Sequence, residues 1–154
     1  TITPVGIKYS RESIVEGEKK LCNNIWEVEK EKLKGSKSTI GEYNVMRSKQ
    51  LLNRCRDDVR VLVGLYTGHG CCNKFLHRIS KSESPFCRFC NEDREETVNH
   101  WFEECVALKH LRLNMLGRQN AGGNYMWKLS HGDLIKFAKA SGIYEILTAW
   151  QNEA

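Results

Sequence analysis

Cys87-Arg88-Phe89-Cys90, followed after nine residues by His100-Trp101-Phe102-Glu103-Glu104-Cys105, brings three thiols and an imidazole into nineteen residues. Two cysteines separated by two residues can present both sulfurs to one ion from a tight turn. A histidine and a cysteine from a short helix then complete a tetrahedron, and closed Cys3His sites are typical of structural zinc. Thr97 is placed to cap a helix that carries His100 in its first turn and Cys105 near its end. The spacing Cys87-x2-Cys90-x9-His100-x4-Cys105 therefore predicts one zinc ion with four protein ligands. That leaves no open position for a catalytic water. The competing readings are buried packing thiols and a redox Cys-x-x-Cys pair. The redox pair lacks the strand–helix context of a thioredoxin-like site.

Outward from the cluster the chain reads as helical. Upstream, Cys55, Val59, Leu62, Val63 and Tyr66 fall on one helical face, which predicts a helix broken by Thr67-Gly68-His69-Gly70. A shorter helix is expected from Asn73 to Ile79, with Phe75, Leu76 and Ile79 inward, and the two would form a helical hairpin. Residues 35–50 form a polar connector that carries no clear signal. Further upstream, Ser13-Ile14-Val15-Glu16 fits a capping box, followed by Ile14, Leu21, Ile25 and Val28 at helical spacing beside Trp26. This predicts a charged helical arm over 13–34, stopped by Gly35, with residues 1–10 as an extended lead-in. Downstream, Leu108, Leu111, Met115 and Leu116 predict another helix. Ala121-Gly122-Gly123 reads as a linker, and Asp133 caps a last helix with Leu134, Phe137 and Ala138 inward until Gly142. No strand pattern or internal repeat is found. The expected fold is mostly α: a long N-terminal helix, a helical hairpin, a short CCHC zinc finger and C-terminal helices.

Composition narrows the function classes. The chain has 154 residues, 40% hydrophobic and 28% charged, so it should fold. Its mean hydropathy of -0.53 implies a modest core, to which a bound metal would add stability. No apolar run of about 18 residues predicts a membrane span, and no signal peptide is read at the start. Thr1 in place of Met leads us to expect a piece of a longer chain. Seven cysteines, an odd number with three at metal spacing, favour a reducing intracellular setting over a disulfide framework. Net charge is +5, and it is segregated. Residues 47–88 hold nine Lys or Arg against three acids, whereas 92–104 hold six acids against Arg94. Arg54, Arg56, Arg60, Lys74, Arg78 and Lys81 are the candidate phosphate-binding face; an ordinary solvated surface is the equal alternative. Phe86, Phe89 and Trp101 are expected to form a small core around the metal. Stacking of Phe89 on an unpaired base is the other reading. His69 between glycines suits a helix end or turn, with a metal or phosphate contact as the other reading, and Cys71 and Cys72 suit packing.

With these motifs in view, a family resemblance becomes specific. Thr67-Gly68-His69, Leu76-His77-Arg78-Ile79, Ser84-Pro85-Phe86-Cys87-Arg88-Phe89-Cys90 and Glu95-Glu96-Thr97-Val98-Asn99-His100-Trp101-Phe102-Glu103-Glu104-Cys105 resemble one region of animal retrotransposon proteins. It is the region after the ribonuclease H domain in non-LTR, jockey-like reverse transcriptases. Residues 1–34 resemble the end of the ribonuclease H region, and Asp133–Ile143 resemble the helix that closes such reading frames. Val106 stands where the family usually has proline, and Cys72 where an aromatic is common. The resemblance implies three parts: the end of a ribonuclease H-like region with a helical arm (1–34), a hairpin with the zinc finger (35–116), and a linker with a C-terminal helix (117–154). It implies zinc on Cys87, Cys90, His100 and Cys105. It also implies partnership with template RNA or target DNA and with upstream domains of the same polyprotein, in the nucleus or cytoplasm. Polymerase and ribonuclease H chemistry need clustered acids holding two metal ions. No such cluster is recognisable here, so catalysis is expected upstream. The alternative is a decayed or host-adopted copy serving as a protein-interaction module, with the charged arm for docking.

Overall fold

Helices make up nearly all the regular structure, as the apolar spacing predicts. The described residues include no sheet, only an isolated antiparallel bridge between Phe86 and Glu95. The computed structural model of the chain describes residues 4–29, 32, 44–70, 72–117 and 126–149, with side chains from residue 11 onward except Trp127.

Helix α1 spans Pro4–Glu29, about seven turns, and starts earlier than expected. Ser13 therefore lies inside the helix and does not cap it, and residues 4–10 are helical rather than extended. Proline is well tolerated in a first turn because its missing N–H would have no partner there, so the helix can begin at Pro4. Ile14, Val15, Leu21, Ile25 and Val28 are all exposed. The helical period was legible, but its apolar stripe does not enter the core. The expected stop at Gly35 lies outside the described residues.

A second helix, α2 (Val45–Leu52), occupies part of the unassigned connector. Asn44 caps it, its Oδ1 accepting from the Arg47 N–H at 3.0 Å. None of its residues is buried. Arg47 anchors it by donating to the Tyr66 hydroxyl at 2.6 Å and to the Leu129 carbonyl at 2.9 Å.

The core is built on α3 (Arg56–Thr67), α5 (Lys109–Leu116), α6 (His131–Ser141) and α7 (Ile143–Ala149), with the short α4 (Asn73–Arg78) beside the metal cluster. Asp57 and Asp58 favour the positive N-terminal end of α3, and Gly68 at φ 66° closes it. Its buried face is Val61, Leu62, Leu65 and Tyr66; Cys55 and Val63 are exposed. The inward face is thus rotated from the expected one because α3 packs against α6 and α7. These contacts take the place of a tight hairpin with α4. A six-residue helix offers too little apolar surface for that, and α4 buries only Leu76, leaving Ile79 exposed. In α5 the inward residue is Arg112, while Met115 faces solvent. Leu134, Phe137 and Ala138 face inward as predicted, and Phe102 packs on Phe137 with ring centroids 4.7 Å apart. Ser130, not Asp133, is the cap of α6. Its hydroxyl accepts from the Asp133 N–H and donates to the Asp133 carboxylate.

Leu147 lies over two glycine backbones. A Cβ added at Gly64 or at Gly70 would meet Leu147 Cδ2 at 2.9 Å. Gly64→Ala is expected to cost about 1–3 kcal/mol by overpacking. Adding Leu147→Val should recover part of that loss by vacating the space. Thermal melts of the single and double variants check this; additive losses would show that the clash is not the cause.

The first residue of α6, His131, is buried edge-on to the Tyr66 ring, and its Nδ1 has no hydrogen-bond partner. Burial, then the charges of Arg47 and Arg54, lower its pKa. A depressed folded pKa means the unfolded chain takes up the proton first. His131 therefore leaves stability unaffected above the unfolded value of about 6.5 and lowers it as pH falls further. The acid loss measured for the wild type should be smaller in a His131→Asn variant. Equal acid losses would contradict the assignment.

Candidate metal centre

Cys87, Cys90, His100 and Cys105 are all buried and converge, their ligand atoms lying within 4.8 Å of one another. The Cys87 and Cys105 sulfurs are 3.9 Å apart, and Cys90 Sγ is 3.3 Å from His100 Nε2. Metal–ligand bonds of about 2.3 Å to sulfur and 2.0 Å to nitrogen give tetrahedral edges of about 3.8 and 3.5 Å. The donor set therefore fits one tetrahedral ion, with Nε2 as the imidazole ligand.

Local backbone chemistry shapes each half. The Cys87–Cys90 turn directs the Phe89 N–H at Cys87 Sγ, 3.4 Å away. The second half is a π turn over His100–Glu104, in which the Cys105 N–H donates to the His100 carbonyl at 2.7 Å. In an α-helix, residues five apart point about 140° away from each other. The wider turn lets His100 and Cys105 reach the same point. Thr97 starts this turn as predicted, its hydroxyl accepting from the His100 N–H at 3.0 Å.

Burial works against thiolates in this cluster, and the donors around it work for them. Burial pushes the Cys87 thiol up to about 12 and raises that of Cys105, so without a metal both hold their protons. Backbone N–H groups of Phe89 and Cys90 oppose that shift at Cys87, and those of Leu108 and Ala107 oppose it at Cys105. These same donors stabilise thiolates once a cation binds. Three thiolates around a divalent ion leave one net negative charge. Arg112, 1% exposed, has its NH1 on the Trp101 carbonyl inside the π turn and feels the Cys105 charge. It supplies the balancing positive charge. On the other side of His100, Nδ1 lies 3.5 Å from Glu104 Oε2, which also takes Arg94 Nη1 at 3.2 Å. At this distance Nδ1 makes no hydrogen bond, so the carboxylate stands beside the imidazole without fixing it.

Of the expected aromatic core, Trp101 is fully buried and Phe89 packs edge-on against it, centroids 6.1 Å apart. Phe86 departs from expectation and is exposed. Cys72 is buried, as a packing thiol should be; Cys71 lies outside the described residues. His69 is exposed and rests edge-on against Phe75, a role in the turn.

The six basic candidates fall into two groups. Arg54, Arg56 and Arg60 lie at the start of α3, whereas Lys74, Arg78 and Lys81 lie on α4 and the turn after it. Several already have partners: Arg54 with Asp58 at 3.7 Å, Arg60 with Asp57 at 3.3 Å, and Lys74 with Glu95 at 2.6 Å. Arg78 lies over the Phe75 ring, and Arg56 and Lys81 are exposed. Surface ion pairs of this kind are worth about 0–1 kcal/mol, so a phosphate can displace them.

Sequence reasoning missed Glu104 and Arg112 beside the centre, and the Glu96–Arg88 pair that links the ligand turn to α4. The sequence showed Glu96 only as one of six acids in 92–104, yet Glu96 is fully buried. It accepts from the Asn73 and Arg88 N–H groups, both at 2.8 Å, and from the Arg88 guanidinium.

Fold and site together define a mostly helical protein with a buried Cys3His cluster placed to hold a metal ion. Among the described residues no helix is long and apolar enough to cross a membrane. Compared with protein-family models, curated proteins and solved structures, the chain matches none.

Proposed function

We propose that this chain is a zinc-binding, nucleic-acid-binding C-terminal segment of a non-LTR retrotransposon reverse transcriptase polyprotein. Catalysis belongs to upstream domains. The observation that carries the reading is the buried Cys87, Cys90, His100 and Cys105 cluster, set within the motifs that resemble that family. Sulfur-rich, closed tetrahedral sites select zinc over hard, oxygen-seeking cations. The ion's work here is structural, because four protein donors leave it no position for substrate. The partner is template RNA or target DNA, held through phosphates by the basic residues of α3 and α4. Reduced thiols fit an intracellular setting, nuclear or cytoplasmic, and the six described cysteines are free.

Salt titration tests the nucleic-acid part. Affinity for RNA or DNA should fall steeply with salt, since each neutralised phosphate releases counterions. Reversing Arg56, Arg60 and Arg78 to Glu should flatten the plot of log affinity against log salt by about 2–3 units, equally for unrelated sequences. Retained zinc must be verified in the variant. Absence of salt-dependent binding by the wild type at low ionic strength would end this part of the proposal.

A second reading is favoured by α1. Its exposed Ile14, Leu21, Ile25 and Val28 form an apolar stripe on a charged helix about 39 Å long. Such a helix suits a protein-docking arm, whether toward upstream domains of the polyprotein or in a host-adopted interaction module. Absence of salt-dependent binding to RNA or DNA by the wild type would favour this reading.

A further inference from the structure

We propose that Glu96 is a positioning residue that couples the metal centre to α4, so that metal loading fixes the helix bearing Lys74, His77 and Arg78. The first N–H groups of a helix have no internal partner. Cys72, at the cap position of α4, makes no side-chain capping bond to the helix's first N–H groups. Glu96, remote in sequence, supplies it instead, Oε1 accepting from the Asn73 N–H at 2.8 Å. Its other oxygen accepts from the Arg88 N–H, inside the Cys87–Cys90 turn, also at 2.8 Å.

The connection is reinforced on both sides. The Glu96 N–H donates to the Pro85 carbonyl at 2.8 Å, and the Lys74 N–H to the Glu96 carbonyl at 3.3 Å. Asn73 Nδ2 donates to the Phe86 carbonyl, and Arg88 Nη2 donates to Asn73 Oδ1, each at 2.8 Å. One buried carboxylate thus holds the ligand turn and the start of α4 in a single hydrogen-bonded unit. Only Leu76 of α4 is buried, so this helix has little else to hold it. When the ligand turn loses its ion, the Arg88 donors shift, and Glu96 loses the geometry that caps α4. What the outer face of α4 then binds rests on the nucleic-acid reading above; the coupling itself does not.

Hydrogen exchange on the full chain, with and without zinc, reads the coupling directly. Metal removal should lower protection of the amides at 76–79 by at least about tenfold. Glu96→Gln preserves shape but removes the charge. It should keep one zinc per chain and still lower the same protection by about tenfold, leaving Phe137 and Ala138 in α6 unchanged. Arg88→Met, at a partly exposed position, should act likewise and serves if Glu96→Gln folds poorly. Unchanged α4 protection on zinc removal, or in both variants, would overturn the proposal. So would zinc loss in both variants, which would make Glu96 a support of the ligands alone. A zinc-loaded wild type that binds no nucleic acid would instead defeat the functional reading and leave the coupling standing.

Discussion

Cys105→Ser should abolish metal binding and melt the segment from Pro85 to Leu116. Cys105 is fully buried and closes the π turn on which His100 sits. Serine offers a poorer ligand and puts a hydroxyl in a fully buried position. Structural zinc contributes roughly 10–16 kcal/mol of apparent folding energy in small fingers. That equals or exceeds the whole stability of a typical domain, about 5–15 kcal/mol. The segment should therefore lose its fold, and α5 should lose the wall that Leu108 and Arg112 pack against. Cys87→Ser and a strong chelator should give the same loss of helical signal. Unaltered melting after complete chelation would show that the cluster is only a group of packed thiols.

Trp101→Ala should be the next most damaging change, costing about 3–5 kcal/mol. Trp101 is fully buried, follows His100 directly and packs edge-on against Phe89. Its loss opens a cavity against the ligand turn, so zinc affinity should fall as well. Trp101→Phe should be much milder, because the indole Nε1 is buried without a hydrogen-bond partner and little polar stabilisation is lost. Denaturant melts with zinc-competition titrations check both variants. Equal damage from Ala and Phe would mean that the indole N–H has a partner essential to the fold.

The metal ligands were legible because their chemistry is local. A turn between Cys87 and Cys90 and a helix start at Thr97 specify where four donors point, and the fold need only bring two short pieces together. Helix ends marked by Gly68 and Gly142 were legible for the same reason, since positive φ favours glycine. Buried faces were less legible. In α3 the true face depends on α6 and α7, which are distant in sequence. Arg112 reads as a polar interruption until the thiolate cluster beside it is known. Glu96 reads as one acid among six until its four donors, on α4 and the ligand turn, are in place. The stripe on α1 shows the reverse error: helical spacing reports a face, not what covers it. A capping box at Ser13 and Glu16 likewise marks a helix start only where the chain upstream leaves the helix, and here it continues to Pro4.

The central claim is most directly tested by titrating zinc into the reduced, metal-free chain and counting both metal and protons. The account predicts one zinc per chain, with about three protons released near neutral pH as Cys87, Cys90 and Cys105 become thiolates. No uptake, or uptake without proton release that persists when Cys87 and Cys105 are replaced by Ser, would contradict it.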